Sequence, residues 1–159
     1  MRISRSACLV CVVSIVLGST FLTAGSADRP QARVGWRTDF AEAWSEAQRS
    51  NRPMIVHFHA HWCGPCRQME RRVLNTPELM QQLGTNFIGV KVDSDQHPEL
   101  IRKFSIDALP SDIFIDPVGR VVSRSEGYQD KKNYLARLNR IDAQLTQARK
   151  IRIAKNDAN

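Results

Sequence analysis

A C-x-x-C pair at the junction between an apolar strand pattern and a helical pattern constrains this chain more than any other feature. The segment Trp62-Cys63-Gly64-Pro65-Cys66-Arg67 follows an apolar run from Met54 to Ala60 and begins a helical stretch that runs to about Leu74. At a helix start, unpaired backbone N–H groups and the helix dipole favour the thiolate of Cys63, which makes it a nucleophile near neutral pH. Cys66, one helical turn further on, can then attack a mixed disulfide at Cys63. The pattern predicts thiol–disulfide exchange in which Cys63 attacks and Cys66 resolves.

Two structural uses of the cysteine pair fit the sequence less well. A structural zinc site needs four protein ligands, and no second C-x-x-C follows residue 27. A disulfide that closes so short a loop constrains the unfolded chain little. His57, His59 and His61 alternate ahead of Cys63, as in a copper or zinc cluster, but strand regularity ends before the last of them. We therefore predict no metal, and no cofactor other than the redox-active disulfide.

The first part of the chain has the three parts of a secretory signal. Residues 1–27 contain Arg2 and Arg5, then an apolar run from Ala7 to Leu17, then small residues that end at Ala27. We expect cleavage after Ala27; an uncleaved N-terminal membrane anchor is the alternative, because the apolar stretch approaches the length of a span. In both cases the rest of the chain is predicted to be exported, to a bacterial periplasm or cell envelope.

Composition excludes several classes of protein. The chain has 159 residues, 42% of them hydrophobic and 25% charged, which leaves one ordinary globular domain after the leader. The net charge of +7 is a modest basic excess, and the few aromatic residues are not interleaved with the basic clusters, so no nucleic-acid partner is predicted. Of the four cysteines, Cys8 and Cys11 lie in the apolar leader and are assigned no chemistry. The remaining pair cannot staple a small scaffold, so stability must come from a hydrophobic core.

Periodicity and capping residues divide the chain into a linker over residues 28–35, a domain over residues 36–148 and a basic, frayed tail over residues 149–159. The predicted elements are a helix from Asp39 to Ser50, a strand from Met54 to Ala60, a helix from Cys63 to Leu74, a helix capped by Thr76 and running to Leu83, a strand from Asn86 to Asp93, a helix from His97 to Phe104, strands from Ser111 to Asp116 and from Arg120 to Ser125, and a final helix from Asp130. This order predicts an α/β fold with a mixed sheet of four to five strands and helices on both faces.

Eight basic residues between Lys131 and Lys155 are interpreted as a solvated helix face; a patch for a membrane surface or an anionic partner is the alternative.

The motifs resemble those of the thioredoxin superfamily. The matching segments are Trp62-Cys63-Gly64-Pro65-Cys66 for the active-site pentapeptide, Leu109-Pro110-Ser111 for the cis-proline loop, Val90-Lys91-Val92-Asp93 and Phe114–Gly119 for the central strand and hairpin, and Gly127 after that hairpin. The resemblance covers roughly residues 36–140 and implies a thioredoxin fold. It also implies a cis peptide bond before Pro110, which would pack beside the two sulfurs and leave a backbone edge at Leu109 for an extended substrate segment. Gly64 and Pro65 would complete the active-site loop.

The residues that flank the pentapeptide are more similar to exported thioredoxin-like domains, including the C-terminal domain of the transmembrane disulfide-reductase family. This likeness implies protein disulfide or dithiol substrates and an upstream membrane electron donor or acceptor. A monomer is expected. The Gly64-Pro65 pair is that of reducing thioredoxins and favours a reductase. A disulfide oxidant or isomerase is one alternative, and a redox-switched binding module or maturation partner is another.

The sequence departs from the family at two buried positions. Thioredoxins carry an aspartate six residues before the attacking cysteine, where this chain has His57, and a lysine that faces it, where this chain has Gly89. A neutral imidazole accepts a proton, so His57 is predicted to replace the carboxylate as the base for the resolving cysteine; a histidine that only packs in the core is the alternative.

Three residues around the cysteines are predicted to support the exchange from the surface. A protonated His61 and the guanidinium of Arg67 would each favour the Cys63 thiolate. Trp62 is predicted to form part of the docking surface, with simple shielding of the disulfide as the alternative.

Overall fold

The computed structural model describes residues 34–158. The predicted leader, most of the predicted linker, and both Cys8 and Cys11 lie outside the described residues. In chain order the elements are β1 (Trp36–Arg37), α1 (Phe40–Ser50), β2 (Met54–His59), α2 (Gly64–Met69), a π-helical segment (Glu70–Leu74), α3 (Pro77–Thr85), β3 (Ile88–Asp93), α4 (Pro98–Phe104), β4 (Ser111–Ile115), β5 (Val121–Glu126) and α5 (Lys131–Asp157). No helix within this range is long and apolar enough to cross a membrane.

The strands form one mixed sheet in the order β1-β3-β2-β4-β5. β3 pairs in parallel with both β1 and β2, whereas β4 runs antiparallel to β2 and to β5. In this register His57 on β2 lies opposite Lys91 on β3 and Asp112 on β4. The predicted α/β architecture with a mixed sheet and helices on both faces is confirmed.

Each face of the sheet carries its own hydrophobic core. One core joins α1 and α4 to the sheet through Ala43, Ala47, Met54, Val56, Phe58, Ile88, Val90, Val92, Leu100, Phe104, Ile113 and Ile115. The other joins α2, the π-helical segment, α3 and α5 to the opposite face through Ile55, Met69, Val73, Leu74, Leu79, Leu83, Phe87, Phe114, Tyr134, Leu138 and Ile141. Because side chains alternate along a strand, His57 and His59 share the face of Ile55, which is the face that α2 covers.

The structure corrects several predicted boundaries. The two-residue strand β1 was not predicted, because a strand so short has no periodic signal and depends on its pairing with β3. The helix that starts at the cysteines changes at Glu70 to a π-helical turn. Thr76 does not cap α3 through its side chain; its hydroxyl donates instead to the carbonyl of Val73 at 2.7 Å.

The C-terminal end also differs from the prediction. The side chain of Asp130 accepts a hydrogen bond from the backbone of Asn133 and caps α5, which continues to Asp157 through the segment predicted to be frayed. Arg149 donates to the backbone oxygen of Asn51 at 2.8 Å and so attaches this last part of the helix to the end of α1. Such a tertiary contact is not visible in the local sequence.

Candidate active site

The two cysteines form a disulfide where β2 passes into α2. Cys63 is the residue that caps α2, and its sulfur accepts a hydrogen bond from the backbone N–H of Cys66 at 3.2 Å. Cys63 is 4% exposed and Cys66 is 1% exposed. An N–H in this position would favour the Cys63 thiolate once the disulfide is reduced. The predicted order of attack, Cys63 first, is consistent with this geometry.

The loop before β4 lies against the disulfide. The Leu109–Pro110 peptide bond is cis, as the resemblance implies, and Leu109 packs against Cys63 and Cys66. The carbonyl of Pro110 accepts a hydrogen bond from Gly127 at 2.8 Å. Within residues 34–158 the backbone groups of Leu109 have no hydrogen-bond partner. An extended segment could therefore pair with Leu109 next to the sulfurs.

A groove of about 240 Å³ runs beside this loop. Trp62 and Leu109 lie on its walls, together with the apolar side chains of Ile101 and Ile106. Trp62 is 61% exposed, and its indole nitrogen donates to Asp95 Oδ2 at 2.9 Å. The hydrogen bond fixes the large apolar ring at the wall of the groove, and its part in docking stays a prediction.

His61 and Arg67 lie at the surface near Cys63. The Nδ1 atom of His61 lies 3.7 Å from Asp95 Oδ2, and its side chain is 83% exposed. Arg67 donates to the backbone oxygen of His61 at 2.5 Å, so its guanidinium is attached to the loop that precedes Cys63. The carboxylate of Asp95 would offset a positive charge on His61, so the effect of His61 on the Cys63 thiolate stays a prediction.

His57 is fully buried on β2, on the sheet face that α2 covers. Its Nδ1 lies 2.8 Å from Asp112 Oδ1, and its Nε2 is buried with no hydrogen-bond partner among the described residues. The ring stacks on that of His59, with the centroids 5.8 Å apart and the planes inclined by 9°. Asp112 is a site residue that the sequence patterns did not predict. The available signal was a charged residue within the otherwise apolar strand that follows the proline loop.

Comparison with known proteins agrees with this geometry. A family model described as thioredoxin-like matches residues 35–117, just over half of the chain. The chain belongs to the thioredoxin-like family.

Relatives of this thioredoxin-like chain include plant and bacterial proteins. It is 39% identical over 80 residues to thioredoxin Y2 from chloroplasts of Arabidopsis thaliana, an alignment that covers 50% of this chain and 46% of the relative. It is 29% identical over 92 residues to the thiol:disulfide interchange protein DsbD of Photorhabdus laumondii, covering 55% of this chain and 16% of that protein. The chain thus spans less than half the length of these two curated relatives.

Solved structures confirm the fold. The solution structure of a thioredoxin from Thermus thermophilus superposes with a TM-score of 0.62 at 26% identity, and the match covers 69% of this chain and 88% of the other. The thioredoxin fold that the sequence predicts is therefore present.

The second departure from the thioredoxin pattern has a steric cause. A Cβ atom at Gly89 would lie 2.7 Å from Leu83 Cδ2 and 2.9 Å from Trp36 Cε3, so a side chain there would require Leu83 and Trp36 to shift. The basic side chain on this face of β3 is Lys91, two residues after Gly89. Lys91 Nζ lies 2.6 Å from Glu70 Oε1 and 5.7 Å from the centroid of the Trp36 ring.

This thioredoxin-like chain therefore has a row of ionisable groups below α2. Burial lowers the pKa of His59, and the charge of His57 lowers it further. Although partial burial opposes ionisation of Glu70, its hydrogen bond with Lys91 lowers the pKa of that carboxyl. The pairing of Glu70 with Lys91 was not predicted from the sequence, because it joins two distant segments through the π-helical turn that begins at Glu70. Within residues 34–158 no three His, Cys, Asp or Glu side chains are placed to hold a metal ion.

Proposed function

We propose that this protein is an exported thiol–disulfide oxidoreductase that reduces disulfides in protein substrates. One observation carries the proposal: the Cys63–Cys66 disulfide lies at the start of α2, with the N–H of Cys66 on the sulfur of Cys63. A purely structural disulfide would not need an open backbone edge at Leu109 beside it. Family membership supports the same chemistry.

The reaction begins with the reduced protein. The Cys63 thiolate attacks one sulfur of a substrate disulfide, and the other substrate sulfur leaves as a thiolate. The Cys66 thiol then loses its proton to His57, and the resulting thiolate attacks the sulfur of Cys63. The Cys63–Cys66 disulfide forms, and the second substrate sulfur leaves and is protonated. Two electrons have passed from the cysteine pair to the substrate.

Substrate recognition is assigned to the groove and the proline loop. An extended segment that pairs with the backbone of Leu109 would place its own sulfur next to Cys63. Its neighbouring apolar side chains would contact the exposed ring of Trp62 and the groove beside it. Apolar contact combined with main-chain pairing suits unfolded or partly unfolded proteins better than small thiols.

Separate observations support the direction of electron flow and the location of the protein. The Gly64-Pro65 pair between the cysteines favours reduction of substrates. The leader pattern over residues 1–27 favours export, and the similarity to DsbD supports a membrane protein as electron donor. A reductase outside the cytoplasm requires such a donor, because the cysteine pair is oxidised in every turnover.

The reduction potential of the cysteine pair tests the direction. The exported protein is equilibrated with dithiothreitol or glutathione mixtures, and its thiols are alkylated and counted. Reference potentials are about −270 mV for thioredoxin and about −120 mV for a strong periplasmic oxidant. A value near the first supports the reductase, whereas a value near the second would make the protein a disulfide donor.

Two single variants test the activity itself. Cys63→Ser should abolish reduction of a protein disulfide, while Cys66→Ser should accumulate the mixed disulfide because it cannot be resolved. A binding module would keep its partner in the Cys63→Ser variant and would show no turnover in the wild-type protein.

A further inference from the structure

Two buried ionisable side chains on neighbouring strands form a pair that the family pattern does not contain. His57 lies on β2 and Asp112 on β4, directly opposite in the antiparallel register. Their side chains are 0% and 1% exposed, and Nδ1 and Oδ1 are 2.8 Å apart. Two groups of this kind are buried together only when they satisfy each other, because an unpaired buried charge is costly.

We propose that Asp112 is a positioning residue for His57: it holds the proton on Nδ1, so that Nε2 is the acceptor for the proton of Cys66. This inference rests on the proposed exchange reaction. It adds a residue, Asp112, that the thioredoxin-like pattern does not assign. It also specifies which tautomer of His57 takes the place of the family's buried aspartate.

The tautomer follows from the hydrogen-bonding capacity of the two groups. An ionised carboxylate only accepts hydrogen bonds, so the imidazole nitrogen that faces it must carry the hydrogen. A neutral ring then has its lone pair on Nε2, which is buried with no partner among the described residues. A buried acceptor without a donor is unfavourable in the resting protein, and a thiol that appears on reduction would supply the donor.

The position of His57 is suited to that thiol. Cys66 and Met69 are the buried residues of α2, and Met69 packs in the same core as Ile55. His57 follows Ile55 on the same face of β2, towards the end of the strand that leads to the cysteines. The ring therefore lies on the sheet face below α2, and the proposed step requires the Cys66 thiol to reach Nε2 directly or through one bridging water.

Other charged groups face the pair from each neighbouring element. On β3, Lys91 is paired with Glu70 of the π-helical segment, so its charge is compensated. On β2, His59 stacks on His57, and its lowered pKa keeps it neutral near pH 7.

On α5, Tyr134 lies near Asp112, and Arg137 lies near Tyr134. Burial, and then the charge of Asp112, raise the pKa of the Tyr134 phenol, so it stays neutral and does not compete as a base. Arg137 donates to the backbone oxygen of Arg124 and to Ser123 on β5. Asp112 is thus the carboxylate in direct contact with the imidazolium when His57 takes the proton.

In the mixed disulfide, the Cys66 thiol gives its proton to His57 Nε2, and Asp112 stabilises the imidazolium. The Cys66 thiolate attacks Cys63, the Cys63–Cys66 bond forms and the bond from Cys63 to the substrate sulfur breaks. The departing substrate thiolate takes up the proton that His57 releases, and His57 returns to its neutral form.

The first test needs no variant. Nitrogen NMR of histidine-labelled, full-length oxidised protein should show His57 protonated on Nδ1 and unprotonated on Nε2 at neutral pH. The opposite tautomer would overturn the proposal. This measurement does not depend on catalysis, so it decides the tautomer even if the protein exchanged no disulfides.

The second test separates the two chemical steps by rapid alkylation of the mixed disulfide. Asp112→Asn replaces a carboxylate, which only accepts, by an uncharged amide that can either accept or donate, so the hydrogen is no longer fixed on Nδ1 and the imidazolium loses its counter-charge. Resolution by Cys66 should slow at least about tenfold and change its pH profile, while the first attack by Cys63 keeps its rate. Ile113→Val is the matched control, because Ile113 is the next residue on β4 but packs in the opposite core. Resolution at the wild-type rate in Asp112→Asn would also overturn the proposal.

Discussion

Lys91 Nζ lies 2.6 Å from Glu70 Oε1 and joins strand β3 to the π-helical segment that follows α2. The ammonium also lies over the ring of Trp36 on the edge strand β1. One side chain therefore connects three elements next to the buried histidines. Both partners are partly buried, so this pair should stabilise the fold more than the exposed pair of Lys131 and Glu78.

The Glu70 pair should make stability depend on pH. The pKa of Glu70 in the folded protein lies below its ordinary value of 4.5, so the ionised form stabilises the fold above that value and the contribution is lost as the pH falls through the lowered pKa. Lys91→Met should lower the free energy of unfolding at pH 7 by about 1 kcal/mol, after allowance for solvent screening. Urea denaturation at pH 7 and at pH 3 measures this, and the difference from wild type should shrink at the lower pH.

Lys131→Met is the control for that experiment. Its partner Glu78 is exposed, so the variant should denature almost as the wild type does at both pH values. An unchanged Lys91→Met difference at pH 3 would contradict the assignment to Glu70.

Asp116 should be important for the turn between β4 and β5. Its side chain is 2% exposed and accepts hydrogen bonds from the backbone N–H of Val118 at 3.1 Å and of Arg120 at 2.8 Å. Asp116→Ala removes the Oδ1 atom that accepts both of these hydrogen bonds. It should lower the free energy of unfolding, measured by urea denaturation, by about 2 kcal/mol. Arg120→Ala keeps both backbone N–H groups paired with Asp116 and removes only the exposed guanidinium that pairs with the carboxylate. It should therefore lower the free energy of unfolding clearly less than Asp116→Ala does. Equal losses in the two variants would show that the ion pair, rather than the turn, is what matters.

Gly89 should tolerate no side chain. The Cβ of an alanine would contact Leu83 and Trp36 at distances that real Cβ atoms do not show, so Gly89→Ala should destabilise the protein by about 1–3 kcal/mol. Gly64 is the matched control, because a Cβ there has open space around it and the residue lies in a helix. Gly64→Ala should leave the free energy of unfolding unchanged or raise it slightly. A fully stable Gly89→Ala protein would refute the steric reason for the missing lysine.

Trp62 should matter for protein substrates and not for small ones. Trp62→Ala removes an exposed apolar ring from the groove and should lower kcat/KM for a protein disulfide by about tenfold or more. The rate with oxidised glutathione and the thermal stability should hardly change, since the ring is largely exposed. Trp62→Phe keeps most of the apolar surface, loses only the hydrogen bond to Asp95, and should retain most of the activity. If Trp62→Ala slowed both substrates equally, the ring would be acting on the disulfide instead of on docking.

Local patterns in the sequence predicted most of the fold. Several local signals place the main helices and strands correctly. They are the cap at Asp39, the breaks at Pro53 and Pro77, and the apolar runs of β2 and β3. These signals are local, because capping and periodicity depend on residues only a few positions apart. β1 and the end of α5 were missed or misjudged, since each depends on a contact with a distant segment.

The candidate site divides in the same way. The sequence by itself determined the cysteine pair and its place at a helix start, because both are encoded in a few adjacent residues. The proline loop was predicted from the resemblance to the thioredoxin superfamily. Only the tertiary structure decided that His57 meets Asp112, 55 positions away, and that Lys91 meets Glu70 across a π-helical turn. The physical reason is strand register: which side chains face each other across a sheet is set by the packing of both cores, and a shift of one residue would turn every one of them to the other face.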